Sequence, residues 1–153
     1  NFIVCYRYNK ILTKNIIKKF PDNIINIHPS LLPWNRGSHP NFWSHFYDTP
    51  KGITIHNINN SIDGGDILLQ KEIHLKLTKK STLKSTYQKT EKIMEIYLID
   101  NFDNLLNKKL TPQKQDQTGT YYQKSDLDKL QHLLKKGWNT RISSINKRGY
   151  ELF

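Results

Sequence analysis

Residues 24–70 read IINIHPSLLPWNRGSHPNFWSHFYDTPKGITIHNINNSIDGGDILLQ, and this stretch decides how the chain is put together. Ile24, Ile25 and Ile27 are β-branched and predict a short strand. Pro29 and Pro33 stop it, because proline lacks the ladder N–H and fixes φ. Asn26 and His28 are left at the end of that strand. A second β-rich run, Ile53 to Ile58, leads into the corner Asp63-Gly64-Gly65-Asp66. An amide, an imidazole and a carboxylate therefore stand at strand ends beside turns that glycine permits. Open α/β sheets gather their reactive groups in such places.

Upstream, Phe2 to Tyr6 is an apolar run that predicts a buried strand. Tyr8 to Leu12 reads as a loop, and Thr13 as the cap of a helix that Pro21 ends. With strand 24–28 this makes a β-α-β unit, whose right-handed crossover predicts parallel strands. After Pro33, Ser38 is the expected N-cap of a helix with Pro40 in its first turn and Pro50 past its end. Phe42, Trp43 and Phe46 recur there at helical spacing, a pattern that suits a core first and a pocket wall second. Gly52–Asn59 and Asp66–Leu75 read as an antiparallel pair joined by a tight turn, which Asp66 braces. Asp63 and Asp66 lack a third spaced ligand, so no metal site is expected.

Further on, Leu83, Tyr87, Thr90, Met94, Tyr97, Asn101 and Leu105 keep a spacing of three and four behind Ser81, which predicts one long amphipathic helix. Ser125 to Asp128 reads as a capping box for a last helix ending at Lys135-Lys136, with Gly137 past its end and Leu127, Leu130 and Leu134 facing inward. No periodicity follows Trp138.

Composition narrows the function class. The chain has 153 residues, 36% hydrophobic and 11% aromatic, enough for a real core and against general disorder. The formal charge is +11, but 20 of the 24 basic residues are lysine and alanine is absent, which points to coding bias before it points to a polyanionic partner. Residues 21–75 carry three basic and five acidic side chains, a net of −2; residues 107–153 carry ten and four, a net of +6. The polar strand ends thus do not lie in a basic groove. A nucleic-acid partner is disfavoured, because aromatic platforms interleaved with arginine are missing. The one cysteine, Cys5, sits in an apolar run and reads as a buried thiol. No apolar run approaches the ~18–20 residues of a membrane span, and a cytoplasmic enzyme fits.

Five ordered elements resemble the N10-formyltetrahydrofolate-dependent formyltransferases: Asn26-Ile27-His28, Ser30-Leu31-Leu32-Pro33, Arg36-Gly37, Gly52-Ile53-Thr54-Ile55-His56 and Ile62-Asp63-Gly64-Gly65. The likeness is strong over residues 5–75 and weaker beyond. It implies an α/β fold with a Rossmann-like formyltransferase sheet, mostly parallel with one antiparallel pair. Several strands of that sheet are expected to precede residue 1, and a C-terminal helical tail to follow. Residues 1–106 would be the C-terminal part of a catalytic domain, and 107–153 a basic extension with one short helix.

The resemblance also implies a chemistry and its residues. Asn26, His28 and Asp63 would be catalytic, transferring a formyl group from N10-formyltetrahydrofolate to an amine. Amine attack on a formamide carbon creates an oxyanion, which the Asn26 amide can stabilise and His28 can support. Asp63 can take the amine proton or hold His28 in its useful state. Lys10, Ile11, Leu12, Ile62 and Asp63 would bind the folate, largely through main chain. Arg36, Trp34 and Trp43 are the candidates for the acceptor. The sequence around Pro33 to Trp43 looks most like the sugar N-formyltransferase branch, so a nucleotide-linked amino sugar is the expected small-molecule acceptor. Methionyl-tRNA and glycinamide ribonucleotide are the alternatives within the family. A non-catalytic remnant and a basic RNA-binding protein are the alternatives outside it. A homodimer is left open.

Overall fold

The computed structural model describes residues 1–115 and 118–145; residues 116–117 and the end of the basic extension, 146–153, lie outside the described residues. The elements are β1 (Ile3–Cys5), α1 (Lys14–Lys19), β2 (Ile24–His28), β3 (Arg36–Gly37), α2 (Pro40–Phe46), β4 (Gly52–Asn57), β5 (Ile67–Glu72), α3 (Leu83–Leu106), β6 (Tyr121–Tyr122) and α4 (Lys124–Asp128). Three 3-10 turns follow, at Gln131–Leu133, Gly137–Asn139 and Ile142–Ser144.

Four strands pair in the order β1-β2-β4-β5, and β3 pairs with β6 in a separate ribbon. β1 and β2 are parallel, as the β-α-β unit requires. β4 and β5 are antiparallel, as their tight turn requires. β2 and β4 are antiparallel too, because the chain passes through the Ser30–Trp34 loop and α2 before re-entering the sheet in the opposite direction. The sheet is therefore mixed: among the described residues, its parallel pairing rests on β1–β2, and the β3–β6 ribbon is parallel beside it.

Two apolar cores hold these elements. Ile25 and Ile27 of β2, Ile53 and Ile55 of β4, and Met94 and Leu105 of α3 form the first. Each fully buried isoleucine contributes roughly 1.5–3 kcal/mol relative to exposure. The second core joins Phe42 and Trp43 of α2 and Leu83 of α3 to Leu127, Ile142 and Ile145. The segment after residue 120 thus packs against α2 and the start of α3. That packing gives residues 139–145, which show no periodicity, their structure: two apolar side chains, Ile142 and Ile145, anchor them.

Several helix ends differ from the sequence reading. Thr13 caps α1 as expected, accepting from the Ile16 N–H. α2, however, starts from His39, not Ser38. The Ser38 N–H is taken by the Tyr122 carbonyl at 2.8 Å, and His39 adopts a left-handed conformation, φ 57°, to enter the helix. α3 is capped by Thr82 in a reciprocal box with Ser85, while Ser81 bonds back to the Thr78 N–H. α4 is capped by Gln123, not Ser125, and gives way after Asp128 to 3-10 turns, so the expected helix to Lys136 is broken.

Candidate active site

Strand alternation selects the side chains of the site. Successive residues of a strand face opposite sides, so Ile25 and Ile27 enter the first core while Asn26 and His28 share the other face of the sheet. β4 does the same with Ile53 and Ile55 inward and Thr54 and His56 outward. The β2–β4 register sets Asn26 opposite His56 and His28 opposite Thr54. Thr54 is spent on structure. Its hydroxyl donates to the Ser30 carbonyl at 2.8 Å and accepts from the Leu32 N–H at 3.0 Å, which fastens the Ser30–Pro33 loop to the sheet.

Asp63 reaches the same face from the turn after β4. Its backbone is left-handed, φ 49°, a conformation that carboxylate and amide residues tolerate better than most. Gly65 lets the turn close, because a Cβ there would stand 1.7 Å from the Asn57 carbonyl oxygen. Gln115 fastens the corner from outside, its Nε2 donating to the Asp63 and Gly65 carbonyls at 2.8 and 2.7 Å. The carboxylate then accepts from the Gly37 N–H at 2.8 Å and from Asn26 Nδ2 at 3.2 Å. Gly37 has φ 88° and no room for a Cβ against the Tyr122 carbonyl, so only glycine presents its N–H here.

Hydrogen-bond partners fix the tautomers of the two histidines. His28 Nε2 lies 2.9 Å from the Asn35 carbonyl oxygen, which can only accept, so Nε2 carries a proton. Its Nδ1 faces Asp63 Oδ2 at 3.5 Å. By the same argument His56 donates from Nδ1 to the Asn57 carbonyl at 2.8 Å. Its Nε2 is 3.3 Å from Asn26 Nδ2 and 3.6 Å from Asp63 Oδ1. The amide of Asn26 is thereby oriented with its NH₂ toward Asp63 and His56.

Burial pushes the His28 imidazole below its ordinary pKa, against Asp63 and the Asn35 carbonyl, which favour the protonated ring. Burial alone would raise the Asp63 carboxyl. The charge of His28 when protonated, then His56 when protonated and the Gly37 N–H, outweigh it and hold the group well below the usual carboxylate range. Asp63 is thus an anion, and in neutral His28 the Nδ1 lone pair faces it with no proton between. One proton delivered there bridges two acceptors. The Asn26 bonds to Asp63 and His56 are long, and a stronger acceptor can displace them. The arrangement suits a reaction that builds charge on an oxygen and moves one proton.

Two cavities open on this cluster. One, of about 740 Å³, is lined by His28, His39, Lys84, Tyr87 and Trp138 among others. The other, of about 640 Å³, is lined by Lys10, Ile11, Leu12, His56 and Ile62 among others. Tyr8, Asn26, Gly37 and Asp63 line both. The sequence candidates Lys10, Ile11, Leu12, Ile62 and Asp63 are therefore gathered in one cavity. Asn26 and Asp63 stand where the two meet, and His28 lines the larger one beside them.

The acceptor candidates are not brought there. Trp43 is 2% exposed in the second core and stacks on Tyr122 with ring centroids 4.1 Å apart. Arg36 pairs with Tyr121 in the β3–β6 ribbon and lines neither cavity. Trp34, 37% exposed, sits in the turn before it and also lines neither. His39 and Trp138 line the larger cavity instead. The sequence reading gave His56 no role. Its signal was present in the alternation of Thr54-Ile55-His56, but its partner Asn26 is set by strand register. Cys5 lines the smaller cavity as a buried thiol whose pKa is raised by burial. No group of His, Cys, Asp and Glu suited to a metal ion occurs among the described residues.

The chain is similar to known proteins of one family. Residues 1–101 match the formyl transferase family. A methionyl-tRNA formyltransferase of Ehrlichia ruminantium is 36% identical over 106 residues, 68% of this chain and 35% of the relative. The dTDP-4-amino-4,6-dideoxyglucose formyltransferase of Mycobacterium tuberculosis is 28% identical over 133 residues, 83% of this chain and 56% of the relative. The chain thus spans about a third to a half of the length of these curated relatives. The crystal structure of the formyltransferase PseJ from Anoxybacillus kamchatkensis, in complex with UDP-4,6-dideoxy-4-formamido-L-AltNAc and tetrahydrofolate, superposes with a TM-score of 0.89 at 34% identity, covering 95% of this chain and 76% of that one. With residues 1–101, two thirds of its length, matched, this chain belongs to the formyl transferase family.

Proposed function

We propose that the protein transfers a formyl group from N10-formyltetrahydrofolate to the amino group of a nucleotide-linked amino sugar. The observation that carries this reading is the wall common to both cavities, where a donor on one side and an amine on the other meet the same polar side chains. The smaller cavity suits the folate. Ile11, Leu12 and Ile62 offer apolar surface to a flat ring system, and Lys10 and Lys14, which also line it, suit an anionic tail. Bound there, the donor supplies an activated formyl carbon.

The residues divide the work. Asn26 turns its NH₂ from Asp63 and His56 to the formyl oxygen as that oxygen gains negative charge; a well-placed donor of this kind is worth roughly 2.7–4 kcal/mol. His28 keeps Nε2–H on the Asn35 carbonyl, so its free nitrogen is Nδ1. The proton lost by the attacking amine goes to the pair His28 Nδ1 and Asp63 Oδ2, and is returned to the departing nitrogen of the folate as the old C–N bond breaks. His28 and Asp63 thus act as one proton-holding unit, and the oxyanion falls to Asn26.

The sugar acceptor is supported by the reach of the similarity. The relative named for an amino-sugar substrate matches 133 residues and the PseJ structure 95% of the chain, whereas the methionyl-tRNA formyltransferase matches 106 residues. Methionyl-tRNA is the second reading, favoured by the higher identity of that shorter match. The test is to supply the formyl donor with nucleotide-linked amino sugars, glycinamide ribonucleotide or methionyl-tRNA, and to measure tetrahydrofolate release and formylated product. Turnover is expected with an amino-sugar nucleotide. Turnover with methionyl-tRNA alone overturns the acceptor, and none with any acceptor overturns the activity.

A further inference from the structure

The corner that presents Asp63 has few contacts of its own. Asn59 to Ile62 are exposed, and the bonds inside the loop are local: the Ser61 N–H donates to Asn59 Oδ1 at 2.8 Å, and Asn59 Nδ2 to the Gly64 carbonyl at 3.3 Å. Asp63 is left-handed, φ 49°, a conformation that costs a non-glycine residue free energy and lasts only where the surroundings impose it. The imposing contacts come from far downstream. Gln113 and Ile67 form an antiparallel bridge at the start of β5, exchanging N–H to carbonyl bonds of 2.7 and 2.8 Å. That bridge sets Gln115 against the corner, where one side-chain atom lies 2.8 Å from the Asp63 carbonyl oxygen and 2.7 Å from that of Gly65. Both partners can only accept, so the atom is Nε2 and both of its protons are used.

The chain just beyond Gln115 holds the other end of the carboxylate's strongest bond. The Thr120 carbonyl accepts from the Arg36 N–H at 2.9 Å and the Tyr122 carbonyl from the Ser38 N–H at 2.8 Å, which leaves the Gly37 N–H between them turned to Asp63 Oδ2 at 2.8 Å. The backbone of Asp63 and the N–H that its carboxylate accepts are therefore both fixed by residues beyond 1–101, the part that matches the family. Two more neighbours depend on where the carboxylate points: Asn26 Nδ2 at 3.2 Å and His28 Nδ1 at 3.5 Å. Those distances leave no slack, and a shift of the corner by ~1 Å is of the size that costs a positioned group its effect. Gln115 itself is partly buried and lines neither cavity.

We infer that Gln115 is a positioning residue for the transfer: by donating to the Asp63 and Gly65 carbonyls, it aims the Asp63 carboxylate at His28 and Asn26 from a place that touches neither reactant. This rests on the formyl-transfer reading and deepens it, since the proton-holding pair is then set by a side chain outside both cavities.

The test combines steady-state rates on an amino-sugar nucleotide with the acid titration of the Asp63 carboxyl. The titration is followed by NMR on protein carrying isotope-labelled aspartate, the signal being assigned by its absence from Asp63→Asn. Gln115→Met keeps the length of the side chain without a donor, and Gln115→Glu keeps its shape with an acceptor in the donor's place. Each is expected to lower kcat about 10- to 100-fold, with the acceptor KM held within a few-fold. On the Asp63→Asn background the same changes should cost less than about three-fold more, because both residues act through one carboxylate. Asp63 is held well below the usual carboxylate range, and in Gln115→Met it should titrate closer to that range as its contacts with His28 and the Gly37 N–H loosen. An unchanged kcat in Gln115→Met overturns the proposal. A loss of the same size with and without the Asp63 carboxylate, which a merely structural role would give, overturns it too. If the wild type formylates no acceptor, the activity falls and the titration decides alone: a raised Asp63 upholds the positioning, and an unmoved one overturns it.

Discussion

Asp63 is held by an N–H from Gly37 and another from Asn26, and His28 by a carbonyl on one nitrogen and that carboxylate on the other. Groups tied together in this way act as a unit. Asn26→Ala, His28→Asn and Asp63→Asn are each expected to lower kcat by ~10²-fold or more. The triple variant should cost little more than the worst single one, measured as kcat on the same acceptor. Asp63→Asn should also lower stability, by about 1.5–3 kcal/mol at neutral pH, the usual worth of hydrogen bonds to a charged group. Because its pKa is depressed on folding, that contribution is complete above the ordinary carboxylate range. It fades only as pH falls through the lowered value, so the gap between wild type and variant in denaturant melts should narrow in strong acid. Asn26 and His28 were legible in sequence because period-two alternation puts them on one face whatever the rest of the fold does. His56 was not, since only the antiparallel register of β2 and β4 sets it opposite Asn26. The placement of Trp34, Arg36 and Trp43 was also out of reach. The turn that carries Trp34 and the strand that carries Arg36 are shaped by Thr120 and Tyr122, and Trp43 of α2 stacks on Tyr122, all more than seventy-five residues downstream, through bonds such as Asn35 N–H to Thr120 Oγ1 at 2.8 Å.

At the level of elements, strands and the long helix follow from local pattern, while caps depend on neighbours. Ser81 and Thr82 are both competent N-caps by chemistry. Thr82 takes the role because its own bridge to Arg141 and the Ser81 carbonyl's bond to Ile142 set the backbone there. Thr82→Ala should cost about 1 kcal/mol, read as a fall of roughly 2–4 °C in Tm, whereas Ser81→Ala leaves the helix cap intact. Past α4, Leu130, Leu133 and Leu134 keep packing against the second core through 3-10 turns. Ile142 is fully buried in that core, and Ile142→Ala should cost about 2–5 kcal/mol in chemical denaturation. The transition should remain single if the C-terminal segment and the sheet melt as one unit, and split if the segment undocks alone.

Over the whole molecule, acid should be felt first through buried histidines. His45, 1% exposed inside α2, has its pKa pushed down to about 3 by burial, with Lys51 lowering it further and Asp48 opposing. Below the ordinary histidine range the unfolded chain takes up a proton that the folded chain refuses, so stability falls from about pH 6.5 toward 3. The slope approaches ~1.4 kcal/mol per pH unit for this one group. His28 shifts in the same direction. His45→Gln should flatten that decline, visible as a smaller drop in Tm between pH 7 and pH 4, with turnover at pH 7 unaffected. The wall that the two cavities share has a further consequence, for the order of events. Tyr8, Asn26, Gly37 and Asp63 separate the chambers, and nothing in that partition stores the travelling group between visits. For the proposed transfer, both reactants must then be present together. Initial velocities measured against each reactant at several fixed levels of the other should therefore give intersecting double-reciprocal lines, not parallel ones. Protein incubated with donor carrying a labelled formyl carbon, and no acceptor, should emerge from gel filtration unlabelled.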